Sequence, residues 1–464
     1  MPTAVELLQT GADFYSKGNL DSASMYFQAA LREAPNFWPA MSSLAVVLDN
    51  QEKLIASATL WERVINIRPD IPLHWSNYGN ILMRSFRFIE AEAALKKAAD
   101  MSPDDPAIWH NLALLYGRMS RNKEALECID RALELGPNNI GALTDRCYFL
   151  MADGKNFPSS WEDYESRWYK LKHLLPWDFN IPEWKGESLQ NKNILLHSEQ
   201  GYGDAIMCVR FAKNLLNIGA KRVTLGLPVS MCEFIAAQRW EGVDVIDVER
   251  ITDEDAKKFD FHSPMFSALR WLRTVPDDIS GAAYLVPTKK TVLGTIGEGF
   301  YNVGICWSSG NRNDINTDWR RRNVPLELFL PLAALPHVKL WSLQVSEDAK
   351  AIETLGVSAL IEDPTKHLSD WSDTASFVAA LDLVVTVDTA VAHLSAALGK
   401  PTIMLSGYCK CWRWWDIQNG TGRPWYNSME IFWQTEPKDW KNVMRRVRRR
   451  VQEYVPPAEE LKVA

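Results

Sequence analysis

Three loops in this chain carry side chains whose types and spacing could do chemistry. The first is HSEQGYGDAIM, His197 to Met207, which follows the strand-like NILL and precedes a long amphipathic run. Its two glycines permit a tight turn, and the turn brings Asp204 into the first turn of a helix, where the helix dipole favours a negative charge. A carboxylate held there over a cleft can accept a proton from an incoming hydroxyl; it can equally serve as a capping residue. His197, Glu199, Gln200, Gly201 and Gly203 lie on the same approach, with His197 also readable as a hydrogen-bonded strand-end residue. The G-x-G is not a dinucleotide fingerprint, because Ile206 stands where the third glycine would be.

The second loop, WSSGNRNDINTDWRRRNVPLELF, is rich in hydroxyls, amides and arginines. Ser308, Ser309, Arg321 and Arg322 suit a diphosphate, which guanidinium grips bidentately; the alternative is a solvated basic turn. The third, LDLVVTVDTAVAHLSAALGKP, delivers Asp388 and Thr389 to a helix N-terminus. Backbone amides at Thr389, Ala390 and Val391 make an anion site there, and His393 lies one turn on; Asp388 could instead cap the helix. The aromatic stretch CWRWWDIQNGTGRPWYNSMEIFW includes Trp414, whose ring could stack on a base or sugar or pack in the core. The helix VMRRVRRRVQEY reads as solvated, or as a contact for a phosphate-bearing acceptor.

Two kinds of architecture must position these loops. The first third repeats with a period of 34 residues: Pro35, Pro69, Pro103 and Pro137 fall on it, as do Ala23, Ser57, Ala91 and Ala125, and Phe27, Trp61, Leu95 and Ile129. Gly11, Ala45, Gly79 and Ala113 keep the same register. Small residues let two helices approach, large ones fill between them, and a proline ends the second. Four such units over about residues 4 to 139, with a degenerate pair as a cap, predict a helical solenoid whose curved face binds a peptide, packs on another domain or acts as a rigid spacer. From residue 193 short β-rich runs alternate with helical ones, which predicts two successive Rossmann-like halves with ligands at the carboxyl ends of the strands. The expected domains are 1–175, 176–295 and 296–464.

Composition bounds the rest. The chain has 464 residues, 47% hydrophobic and 23% charged, enough for several domains with packed cores, and a net charge of −7 that gives no reason to expect nucleic acid as a partner. No apolar run is long enough to span a bilayer and the N-terminus lacks signal-peptide features. Seven dispersed cysteines fit a reducing compartment, and Cys409 and Cys411 lack a second pair for zinc. A cytoplasmic protein is expected.

With these loops in hand, the chain resembles the bacterial fusions of tetratricopeptide repeats to a domain similar to glycosyltransferase family 9, the heptosyltransferase-like enzymes. The resemblance rests on WEDYESRW, LLHSEQGYGDAI, VGICWSSG with RND and RNVPL, DTASFVAALDLVVTVDTAVAHLSAALGKPTIML, WRWW and RPWYNSM. It implies a GT-B fold and a metal-independent, inverting sugar transfer, with a nucleotide-sugar as co-substrate and no other cofactor. It implies that Asp204 is the general base, that Arg322 clamps the leaving diphosphate, and that Thr389, Ala390 and His393 belong to a D-T-G-x-x-H donor motif in which Ala390 replaces the glycine. The basic residue of the clamp is open between Arg321 and Arg322. A repeat array fused to such a domain points to a protein acceptor; a saccharide or lipid-linked acceptor, or a scaffold with a decayed transferase half, are the other readings.

Overall fold

The computed structural model describes residues 2–153, 157–170, 180–291, 296–310, 322–409, 411–414, 425–457 and 459–462. The chain divides into two compact units, the first ending at Phe149 and the second beginning at Leu150.

The first unit is a stack of helical hairpins: Ala4–Ser16 with Leu20–Glu33, Trp38–Asn50 with Leu54–Ile67, Pro72–Arg84 with Phe88–Met101, and Pro106–Arg118 with Asn122–Leu135. Each second helix ends for the same reason. The residue before each repeat proline, Ala34, Arg68, Ser102 or Gly136, leaves the helical region with φ between −132° and −141°, because proline's ring disfavours helical backbone in the residue ahead of it. The small residues are required sterically: a Cβ on Gly79 would lie 2.6 Å from Leu95 Cγ. Ser57, the polar member of its column, is fully buried and donates to the Ala45 carbonyl at 2.8 Å, so its hydroxyl is not left unsatisfied. Polar pairs one repeat and one residue apart tie successive first helices together: Asn50 Nδ2 donates to Tyr15 Oη at 3.0 Å, Asn111 Nδ2 to Ser76 Oγ at 3.0 Å, and His110 Nε2 lies 2.8 Å from Asp145 Oδ2.

The second unit holds two parallel sheets. In the first, β1 (Asn193–His197), β2 (Arg222–Leu227), β3 (Val243–Asp247) and β4 (Phe261–Pro264) lie in the order β3-β2-β1-β4. In the second, β5 (Tyr301–Cys306), β6 (Val338–Ser342), β7 (Ile361–Glu362), β8 (Leu383–Val387), β9 (Thr402–Ser406) and β10 (Met429–Trp433) lie in the order β10-β9-β8-β5-β6-β7. All the pairings are parallel. β5 and β8 are fully buried strands, as strands covered by helices on both faces must be. Each sheet reverses its strand order once, between β1 and β4 and between β5 and β8, and such a reversal opens a crevice at the strands' carboxyl ends. The loops after β1, β5 and β8 are the three that the sequence singled out.

The helices Phe157–Tyr164 and Arg167–Lys170, expected to cap the repeats within a 1–175 domain, belong instead to the second unit. The reason is their aromatic and charged cargo. Trp161 Nε1 donates to the Thr274 carbonyl at 2.9 Å, and Trp161 and Tyr164 pack edge-on against Trp412 at 6.1 and 5.4 Å between ring centres. Phe266 completes the cluster, 5.5 Å from Tyr164. Burying four large rings together removes enough apolar surface to decide where these short helices sit.

Candidate functional site

The loop after β1 and the loop after β8 meet at one point. Gly203, in the helix Tyr202–Cys208, faces the first turn of the helix Ala390–Ala397 so closely that a Cβ there would lie 2.7 Å from His393 Cδ2 and 3.4 Å from Ala390 Cα. Glycine is needed for this approach, and its consequence is that Asp204 and His393, from the two Rossmann-like halves, share one neighbourhood. Asp204 is the third residue of its helix, and its Oδ2 accepts the Gly201 N–H at 3.3 Å, the capping arrangement expected of an acid there. Its Oδ1 is also engaged: Arg413 Nε donates to it at 2.7 Å, and both side chains are largely buried, 13% exposed for the arginine and 16% for the acid.

Arg413 reaches further. Its Nη2 donates to Gln200 Oε1 at 3.2 Å, and its guanidinium lies over the Trp412 ring at 4.6 Å. Burial works against its charge, and the nearby Asp204, Cys411 and Tyr164 more than offset that, so its pKa is raised and it is a permanent cation. Gln200 in turn donates from Nε2 to Tyr164 Oη at 2.9 Å.

Across the N-terminus of the helix Ala390–Ala397 stands a second pair. Arg322 Nη1 lies 3.0 Å from Asp388 Oδ2 and 3.2 Å from the Asp388 carbonyl oxygen. Asp388 is 4% exposed and pairs with this arginine instead of capping the helix. Thr389 occupies the cap position in extended conformation with no side-chain cap hydrogen bond, its hydroxyl lying 3.1 Å from Thr386 Oγ1. The first-turn amides are therefore not taken by a capping side chain, and they carry the partial positive charge of the dipole.

His393 lies between the two pairs. Burial drives its pKa down to about 4 against the pull of Asp388 and Asp204, with Arg413 and Arg322 adding to the depression, so the imidazole is neutral near pH 7. Its Nδ1 is 2.9 Å from Tyr426 Oη, and its ring packs on Trp414 at 5.1 Å. Tyr426 is itself held by Arg210, whose guanidinium sits over the Tyr284 and Tyr426 rings at 3.9 and 4.9 Å and donates to the Ser280 and Trp425 carbonyls.

Other candidate residues have internal tasks. Glu199 accepts two hydrogen bonds from Arg167, at 2.7 and 3.0 Å, and one from the Phe266 N–H at 2.7 Å, with both ionic side chains 2% exposed; it ties the WEDYESRW helices to the first sheet. His197 stacks on His262 and lies 3.2 Å from it, and burial, then the His262 charge, brings its pKa down to about 3. It is a neutral strand-end residue. Ser308 donates from Oγ to Asp348 at 2.5 Å and from its N–H to Gln344 Oε1 at 2.9 Å, while the exposed Ser309 uses its N–H on Asn323 at 3.0 Å. Trp414 is 1% exposed and packs in the core against His393, with its indole N–H unpartnered. Arg321 lies outside the described residues.

Arg413, Arg167, Gln344, Asp348 and Tyr426 were not singled out by residue type. Arg413, Arg167 and Tyr426 fall inside motif strings of the resemblance, the only signal that could have found them; Gln344 and Asp348 have none. Among the described residues no group of three or more His, Cys, Asp or Glu side chains is arranged to hold a metal ion, and no helix is long and apolar enough to cross a membrane.

Comparison with known proteins agrees with this architecture. Residues 75–105 and 106–139 match tetratricopeptide-repeat models, and residues 370–449, which include Asp388, Thr389, His393 and Arg413, match the model of glycosyltransferase family 9 (heptosyltransferase). Protein FlbA of Caulobacter vibrioides is 28% identical over 327 residues, 65% of this chain and 53% of that protein, so the chain spans about half the length of the curated relative it matches. Among solved structures, PilF of Pseudomonas aeruginosa is 18% identical over 46% of this chain and 85% of its own, with a TM-score of 0.34. The tetratricopeptide-repeat protein TTC0263 of Thermus thermophilus is 16% identical over 38% of this chain and 93% of its own, with a TM-score of 0.33. The tetratricopeptide-repeat models thus match within the stack of helical hairpins, and the glycosyltransferase family 9 model matches the part of the parallel-sheet α/β unit that carries β8, β9 and β10.

Proposed function

We propose that the chain is a metal-independent, inverting glycosyltransferase that moves a sugar from a nucleotide-sugar to an acceptor hydroxyl, and that the acceptor is a protein engaged by the repeats. The observation that carries this reading is the Gly203 contact, which sets the Asp204 carboxylate beside a helix N-terminus flanked by Arg322. In the reaction the acceptor oxygen gives its proton to Asp204 and attacks the anomeric carbon from the face opposite the bond to phosphate. That bond breaks with its electron pair going to the nucleoside diphosphate. The charge that builds on the leaving group meets Arg322 and the amides of Thr389, Ala390 and Val391. His393, neutral, adds a polar contact with no charge of its own. The repeat array supports a protein acceptor because stacked helical hairpins offer an extended groove.

The test is a thermal-shift screen of UDP, GDP, ADP and CDP and their sugars on the full chain. A ligand at 100 times its dissociation constant adds about 2.7 kcal/mol to folded-state stability. One nucleotide should raise the melting temperature, and Arg322→Ala should diminish the shift. Silence from every nucleotide at millimolar concentration refutes the donor reading.

A further inference from the structure

The Asp204–Arg413 pair has a feature that a simple general base would not need. An acid meant to take a proton is here bonded through Oδ1 to a buried, permanently charged guanidinium, while its Oδ2 accepts the Gly201 N–H, so both carboxylate oxygens are engaged. Arg413 belongs to the half of the second unit that carries the open helix N-terminus, and the adjacent Trp414 lies on His393, so Arg413 stands within the same cluster as the Arg322–Asp388 pair. The two carboxylate–arginine pairs flank one histidine and one set of first-turn amides.

Building on the nucleotide-sugar reading above, we propose that Arg413 is a ligand of the donor diphosphate, and that its bond to Asp204 is the arrangement of the donor-free enzyme. The carboxylate holds the place of the phosphate. When the diphosphate arrives at the helix N-terminus it carries more charge than one carboxylate and offers oxygens to both edges of the guanidinium, so Arg413 exchanges Asp204 for phosphate. Gln200 Oε1, already an acceptor from Nη2, keeps the side chain oriented during the exchange. Asp204 is then left with only the Gly201 N–H, and its Oδ1 faces the acceptor hydroxyl as an unpaired base. Donor binding thus precedes formation of a competent base, so an acceptor hydroxyl meets an unpaired Asp204 carboxylate only when a sugar is already in place.

The test is calorimetric binding of the nucleoside diphosphate found in the screen to the full chain and three variants. Arg413→Gln should weaken binding on the order of tenfold or more, the size expected for a lost charge-assisted hydrogen bond. Asp204→Asn should tighten it by about tenfold, since Arg413 no longer has to leave a carboxylate. In the double variant that gain must disappear, because it is transmitted through Arg413; a gain that survives would come from removing a negative charge alone and would overturn the exchange. Melting curves show whether Arg413→Gln folds. If it does not, a crystal structure of the wild-type chain with the nucleotide decides: Arg413 on a phosphate oxygen and away from Asp204 upholds the exchange, and an intact Arg413–Asp204 pair refutes it. If no nucleoside diphosphate binds the wild type, the donor reading falls and this inference falls with it; if one binds and Arg413→Gln binds it equally well, only this inference falls.

Discussion

Gly203→Ala puts two opposing effects at one position and lets geometry decide the sign. In a helix, alanine is favoured over glycine by about 1 kcal/mol, and Gly203 lies within the helix Tyr202–Cys208. An alanine Cβ there would lie 2.7 Å from His393 Cδ2 and 3.3 Å from Nε2, against an ordinary carbon–carbon contact of roughly 3.5–4.0 Å. The ring cannot swing away cheaply: Tyr426 holds Nδ1 at 2.9 Å, Trp414 packs on the ring, and the side chain is 3% exposed. Behind it stands Ala390 Cα, which is backbone. Overpacking of this kind costs about 1–3 kcal/mol, so the net change is a destabilisation of up to about 2 kcal/mol, or a drop of a few degrees in melting temperature. Because relief of the clash separates the two helices, Asp204 also moves relative to the helix N-terminus at Thr389, and on the proposed function a misplacement on the order of 1 Å costs about 100-fold in turnover. Differential scanning calorimetry of the full chain, with nucleotide binding alongside, is the assay. If the alanine variant melts at or above the wild-type temperature and binds nucleotide normally, the close approach of these two helices is not what the glycine is for.

Two further outcomes follow from the same structure. Arg167→Met strands the buried Glu199 carboxylate and should cost about 3–5 kcal/mol in urea unfolding, with Glu199→Gln added to it recovering part of the loss; a single variant within about 1 kcal/mol of wild type would show that the pair does not anchor the helices Phe157–Tyr164 and Arg167–Lys170. Burial holds His393 and His197 neutral in the fold, down to about 4 and about 3, while the same imidazoles in the unfolded chain protonate near 6.5. The unfolded state therefore binds more protons below that pH, so stability is full above it and falls as pH drops toward 4, by up to about 1.4 kcal/mol per pH unit for each histidine. Melting temperatures at pH 7, 6 and 5 check this, and an unchanged value between pH 7 and 5 contradicts it.

How much of this was legible in the sequence differs by element. The 34-residue period was readable because each repeat solves its packing with its own neighbours: Gly79 faces Leu95 sixteen positions on, and the proline at each turn acts on the residue just before it. Alternation of buried strands with helices was readable for the same local reason, as was the helix start at Thr389. The WEDYESRW helices went to the other unit because Trp161 and Arg167 find their partners at Thr274 and Glu199, 113 and 32 residues away, and no local period encodes such a partner.

The sequence by itself determined the two architectures and the three loops that converge at strand ends, since hydrophobic period, glycine, proline and capping chemistry act over a few residues. Only the tertiary structure decided which charges meet. Asp204 and Arg413 are 209 positions apart, Arg322 and Asp388 are 66, and a carboxylate's chemistry depends on the charge beside it more than on its place in a motif. Glu199 and Asp204, five residues apart in sequence, show the consequence: the first is consumed by a buried arginine from the WEDYESRW helices, and the second is held by an arginine from the other Rossmann-like half.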